Sequence, residues 1–136
     1  MSKSINCILL LFFICFTSLV SAQGYKAVYF AHDSYKLTKT ALSTLDEIVK
    51  KCQSKRCCIG IAAFATPIGD LEYNEELSLK RATAVRDYLE KKSVINPDCS
   101  PMFSFGEEVQ YIYESIHYWD LEKVHARQRC VDIRYE

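Results

Sequence analysis

Hydrophobic and polar positions along the chain mark out six segments of regular structure. Ala27-Val28-Tyr29-Phe30 is β-branched and aromatic and gives way to the polar His32-Asp33-Ser34, which predicts a strand followed by a turn. Leu42, Leu45, Ile48 and Val49 then recur at helical spacing. Thr38 stands as N-cap before them, with Leu37 and Leu42 placed as a hydrophobic staple, so a helix is expected from about 39 to 52. The apolar run Cys57 to Phe64, bounded by Lys55-Arg56 and the turn residues Pro67-Ile68-Gly69-Asp70, is too short for a buried helix and predicts an interior strand.

Leu71 to Lys92 contains neither Gly nor Pro, and Leu77, Ala84, Val85, Tyr88 and Leu89 form an apolar stripe opposite a charged face, which predicts the longest helix. Asn96-Pro97 breaks the chain, Met102 to Phe105 alternates as a third strand, and Cys130 to Tyr135 alternates again with Val131, Ile133 and Tyr135 on one face. Between the last two strands, Tyr111, Tyr113, Tyr118 and Trp119 show mixed periodicity, and a loop with a short helix near 117–124 is expected. The order is β-α-β-α-β-β. It predicts an α+β two-layer sandwich with both helices on one face of a mixed four-stranded sheet.

The first 22 residues differ from the rest. Lys3 supplies a positive start, Ile8 to Phe16 a dense apolar stretch and Val20-Ser21-Ala22 a small-residue cleavage signal, which together read as a signal peptide and leave a domain of residues 23–136. The apolar run is shorter than the roughly 20 residues a membrane-crossing helix needs. Cys15 follows Phe12-Phe13-Ile14, where a lipoprotein signal would place a small residue. The expectation is export to the periplasm, with no transmembrane segment in the mature chain.

Removing the signal takes Lys3 from the 17 Lys and Arg, leaving 16 against 17 Asp and Glu. That near-neutral balance argues against a nucleic-acid partner held by phosphate contacts. Of the seven cysteines, Cys7 and Cys15 leave with the signal, and Cys52, Cys57, Cys58, Cys99 and Cys130 remain. Five is odd, so one or two disulfides plus a free or intermolecular thiol are expected in an oxidising compartment. A bridge from Cys52 to Cys57 or Cys58 would tie a helix end to the next strand, and Cys99 with Cys130 is the other candidate pair. No metal or cofactor is expected: although His117 and His125 are present, no compact Cys-x-x-Cys or His-x-x-x-His pair occurs. His32-Asp33-Ser34 does not read as a catalytic triad, because adjacent residues in a turn cannot face one another in the required relay.

The stretch Ile59 to Leu89 resembles the core of the OmpA-like domain family, the peptidoglycan-associating domain also found at the MotB C-terminus. The family's strand, Gly-containing turn, Asn, Leu-Ser, Arg-Ala and Val-x-x-Tyr-Leu helix correspond to Gly69, Tyr73-Asn74, Leu77-Ser78, Arg81-Ala82, Val85 and Tyr88-Leu89. Phe30-x-x-Asp33-Ser34-x-x-Leu37, Phe105-Gly106-Glu107 and Ala126 to Ile133 are similar to its first turn, its Gly-Tyr-Gly-Glu turn and its closing strand.

The resemblance implies a non-catalytic domain that associates with the cell wall, possessing a site for the diaminopimelate end of the peptidoglycan stem peptide. In the family an Asp after the second strand meets the ligand's ammonium, and an Arg on the second helix holds its carboxylate. The Arg is kept as Arg81; the Asp position is occupied by Thr66 and the preceding Thr by Ala65. Asn74, two helical turns before Arg81, is placed to join the site, and Arg129 on the closing strand is a further candidate. Thr66 offers a neutral hydroxyl where the family has a charge, which weakens binding or leaves the domain a scaffold for an envelope protein. Asp70 is open to two roles, a substitute anion or the N-cap carboxylate of the long helix.

Overall fold

Local chemistry starts and stops each element. The computed structural model describes residues 23–107 and 128–136, with strands β1 (Gly24–Tyr29), β2 (Ile59–Ala63), β3 (Met102–Ser104) and β4 (Cys130–Tyr135) and helices α1 (Lys39–Cys52) and α2 (Leu71–Lys91). The expected signal segment, the aromatic segment from Tyr111 to Trp119 and the helix expected near 117–124 lie outside the described residues. The Thr38 side chain accepts a hydrogen bond from Ala41 N at 3.1 Å and caps α1. Asp70 does the same for α2, accepting from Tyr73 N at 3.2 Å, after Gly69 turns the chain at φ +107. A short 3₁₀ turn, Pro97–Cys99, fills the break that Asn96-Pro97 makes.

The sheet order is β1-β4-β2-β3, mixed as expected, with β2 in the interior. β4 runs antiparallel to both β1 and β2, setting Val131 opposite Val28 and Ala63, while β2 and β3 are parallel. Period-2 alternation sends Ile59, Ile61, Ala63, Val131 and Ile133 to the covered face. They meet Leu45, Ile48 and Val49 of α1 and Ala82, Val85 and Leu89 of α2 in one core. Both helices pack on this face.

The long helix departs from its expected stripe in one respect. Leu77, Val85 and Leu89 are buried, but Ala84 and Tyr88 are only half-buried, and the Tyr88 hydroxyl donates to Asp46 of α1 at 2.6 Å. Over its first three turns the buried face of α2 is instead mostly polar, made of Asn74, Ser78 and Arg81.

The disulfides are Cys52–Cys57 and Cys58–Cys99, with Cα–Cα separations of 5.5 and 5.1 Å. The first agrees with one of the two pairings expected for Cys52. The expected Cys99–Cys130 bridge does not form, and Cys130 is a free, buried thiol. The reason is topological. Cys58 exchanges backbone hydrogen bonds with Glu136, just beyond one end of β4, and Cys130 begins the other end. A strand of that length spans about 20 Å, and a disulfide tolerates a Cα–Cα distance of at most about 7 Å.

Candidate functional site

The start of α2 brings polar groups together. Asn74, Ser78 and Arg81 follow at helical spacing on one face, and helical side chains lean toward the N-terminus, so all three reach back toward the turns at this end of the sheet. Asn74, Ser78 and Arg81 are 2%, 0% and 1% exposed.

Arg81 is the anchor. Its Nε donates to Ser34 O at 2.9 Å, and its two terminal nitrogens donate to Phe64 O at 3.2 Å and Ala31 O at 3.3 Å, so one side chain joins the β1–α1 turn to the end of β2. The guanidinium lies 5.4 Å over the ring of Phe30. Three of its five N–H groups are taken by these carbonyls, and among the described residues no carboxylate forms an ion pair with it. Burial, followed by the charge of Arg129, lowers its pKa to about 10. Arg129 is itself buried, and its carbonyl accepts from Phe30 N at 2.8 Å. The cations expected from the sequence are thus brought together at one end of the sheet.

A step in the sheet delivers a further residue. Ile61 N donates to Pro101 O and Ala65 N donates to Gly106 O, so the strand beside β2 carries one extra residue over this stretch, and the step occurs at Gly106, where φ is +54. Gly106 N donates to Ser78 Oγ at 3.0 Å, and Ser78 Oγ donates to Glu75 O at 2.8 Å, which fastens the turn to α2. A Cβ at Gly106 would come within 3.1 Å of Glu75 Cγ, so both the backbone angle and the close approach call for glycine.

Past this turn, Glu107 Oε2 accepts from Asn74 Nδ2 at 3.1 Å. Glu107 belongs to the Phe105-Gly106-Glu107 turn but is absent from the residues expected at the site. Its only sequence signal is its place after Gly106, 33 residues from Asn74.

Thr66 is 6% exposed and follows Ala65, whose N–H joins the Gly106 turn. Asp70 serves as the helix N-cap. Tyr73, beside Asn74, donates its hydroxyl to Asp33 Oδ1, and this bond raises the tyrosine's pKa. Among the described residues, no group of three or more His, Cys, Asp or Glu is placed to hold a metal, and no helix is long and apolar enough to cross a membrane. A cleft of about 520 Å³ lined by Tyr25, Gly60, Arg134 and Tyr135 shares no residue with the set around Arg81.

The fold and the polar start of α2 define a small α+β two-layer domain with a buried cation at one end. The chain belongs to the OmpA family, whose model matches residues 29–113. That span includes Thr66, Asn74, Arg81 and Glu107, and ends before β4 and Arg129. Outer membrane protein 41 of Porphyromonas gingivalis is 37% identical over 67 residues, which cover 49% of this chain but only 17% of that protein. Among solved structures, the peptidoglycan-associated lipoprotein from Burkholderia pseudomallei aligns with a TM-score of 0.68 and 27% identity, covering 82% of this chain and 90% of that one. The C-terminal domain of Helicobacter pylori MotB shares the fold, with a TM-score of 0.65 at 22% identity over 83% of this chain and 85% of that one.

Proposed function

We propose that this chain is exported by its first 22 residues and that residues 23–136 associate non-covalently with peptidoglycan in the bacterial envelope, without catalysing a reaction. The observation that carries the reading is Arg81: a guanidinium 1% exposed, held by three backbone carbonyls and meeting no carboxylate among the described residues. A buried charge that no ion pair holds is costly, and a ligand carboxylate would offset that cost through the two N–H groups left over. The carboxylate of the stem peptide's diaminopimelate fits that demand, with Asn74 beside it and Arg129 adding positive potential. Membership of the OmpA family and the likeness to a peptidoglycan-associated lipoprotein support the reading.

Thr66 in place of an aspartate removes one charged hydrogen bond to the ligand ammonium. Such a bond contributes roughly 1.5–3 kcal/mol, so affinity falls by about one to two orders of magnitude relative to a site with the aspartate. A second reading, an envelope protein-interaction scaffold that no longer holds wall, is favoured by the three carbonyl bonds, which give Arg81 a structural use without any ligand.

Co-sedimentation of residues 23–136 with purified sacculi separates the two. Retention that Thr66→Asp strengthens about tenfold or more and Arg81→Lys weakens supports wall binding. A chain that stays in solution with and without Thr66→Asp, while its folded circular dichroism is intact, refutes it.

A further inference from the structure

We infer that Glu107 supplies the anion that Thr66 does not, so that Glu107 and Arg81 together select a ligand end carrying both an ammonium and a carboxylate. The inference rests on the wall-binding reading for the identity of the ligand and on the geometry for the residue. Glu107 is carried to the site by the extra residue at Gly106, with the turn held from both sides by Ala65 N–H to Gly106 O at 2.7 Å and by Gly106 N–H to Ser78 Oγ. Its carboxylate accepts from the neutral amide of Asn74, on the same helix face as Arg81, and among the described residues it forms no ion pair. One oxygen is used by Asn74, and the side chain is only half-buried, so lone pairs remain open to a ligand.

Arg81 and Glu107 are therefore opposite charges that do not neutralise each other. Arg81 is tied to the carbonyls of Ala31, Ser34 and Phe64, and Glu107 to an uncharged amide. Two opposite charges at one end of the sheet, each with unused hydrogen-bonding capacity, suit an amino-acid end, which carries both. Of the other carboxylates at this end, Asp70 is committed to the backbone N–H of Tyr73 as helix cap and Asp33 accepts from the Tyr73 hydroxyl. Buried Asn74 acts as the positioning residue: its rigid seat on α2 fixes where the Glu107 carboxylate stands.

The test compares diaminopimelate with pimelate, the same dicarboxylate lacking the ammonium groups, by NMR titration of residues 23–136. The unmodified domain is expected to favour diaminopimelate by about tenfold or more, the factor a charge-assisted hydrogen bond supplies. Glu107→Gln keeps an acceptor for Asn74 and removes the charge. It should erase that preference while pimelate still shifts the resonances around Arg81, and adding Thr66→Asp to Glu107→Gln should restore it. An unchanged preference in Glu107→Gln overturns the role of Glu107 and leaves the wall reading standing. Equal loss of both ligands in that variant also overturns it, since Glu107 would then only hold Asn74 in place. If neither ligand binds the unmodified domain, this inference and the diaminopimelate site of the wall reading fall together.

Discussion

Cys58→Ala/Cys99→Ala is the perturbation whose size follows most directly from the fold. The bridge closes a sequence separation of 41 residues that contains β2, α2 and the 3₁₀ turn. In the chain-entropy relation a closed loop of that length removes about 13 cal/mol/K from the unfolded chain, or about 4 kcal/mol at 25 °C. The separation of five in Cys52–Cys57 gives only about 2 kcal/mol by the same relation. Cys99 is exposed and Cys58 half-buried, so trimming both to alanine leaves little cavity and adds little to that figure. Against a typical total of about 5–15 kcal/mol, the loss is large. It should lower the melting temperature by roughly 15 °C, at about 4 °C per kcal/mol for a domain of this size. Calorimetry on the two proteins measures the shift, and urea titration should show a larger m for the variant, because its unfolded chain is less constrained. A drop under about 5 °C with unchanged m would refute the assignment of this bridge as the main brace between the start of β2 and the turn before β3.

Further outcomes follow from single residues. Gly106→Ala should cost about 1–2 kcal/mol in urea denaturation, from the left-handed backbone angle and the crowding against Glu75. Gly60→Ala, with open space around the new methyl group, should cost little. Cys130 is buried and its thiol is pushed up to about 12, by burial first and Asp132 second, so iodoacetamide at pH 8 should leave it unlabelled until the domain unfolds. The sign for stability follows from the raised value. The unfolded thiol ionises near pH 8.5–9 while the folded one stays protonated, so stability from this group is complete below that range and is lost as pH rises toward about 12.

Much of the framework is readable without coordinates. The 3.6 and 2.0 periodicities mark the four strands and two helices, Thr38 and Asp70 cap where their chemistry says they should, and Asn74 and Arg81 lie seven apart on one helix face. These are local properties, set by neighbours within a turn or two, so the order of residues alone carries them.

What the tertiary structure decided is every partnership across long stretches of chain. Cys99 meets Cys58 rather than Cys130 because β4 holds its two ends about 20 Å apart. The first turns of α2 bury Asn74, Ser78 and Arg81 instead of continuing the apolar stripe, because that end of the helix faces the turns after β1, β2 and β3, whose carbonyls and amides need partners. Glu107 reaches Asn74 only because Gly106 adds a residue to the strand beside β2 and tolerates the left-handed angle that this requires. Periodicity states which face of an element is buried; strand order and the placement of turns state what that face meets.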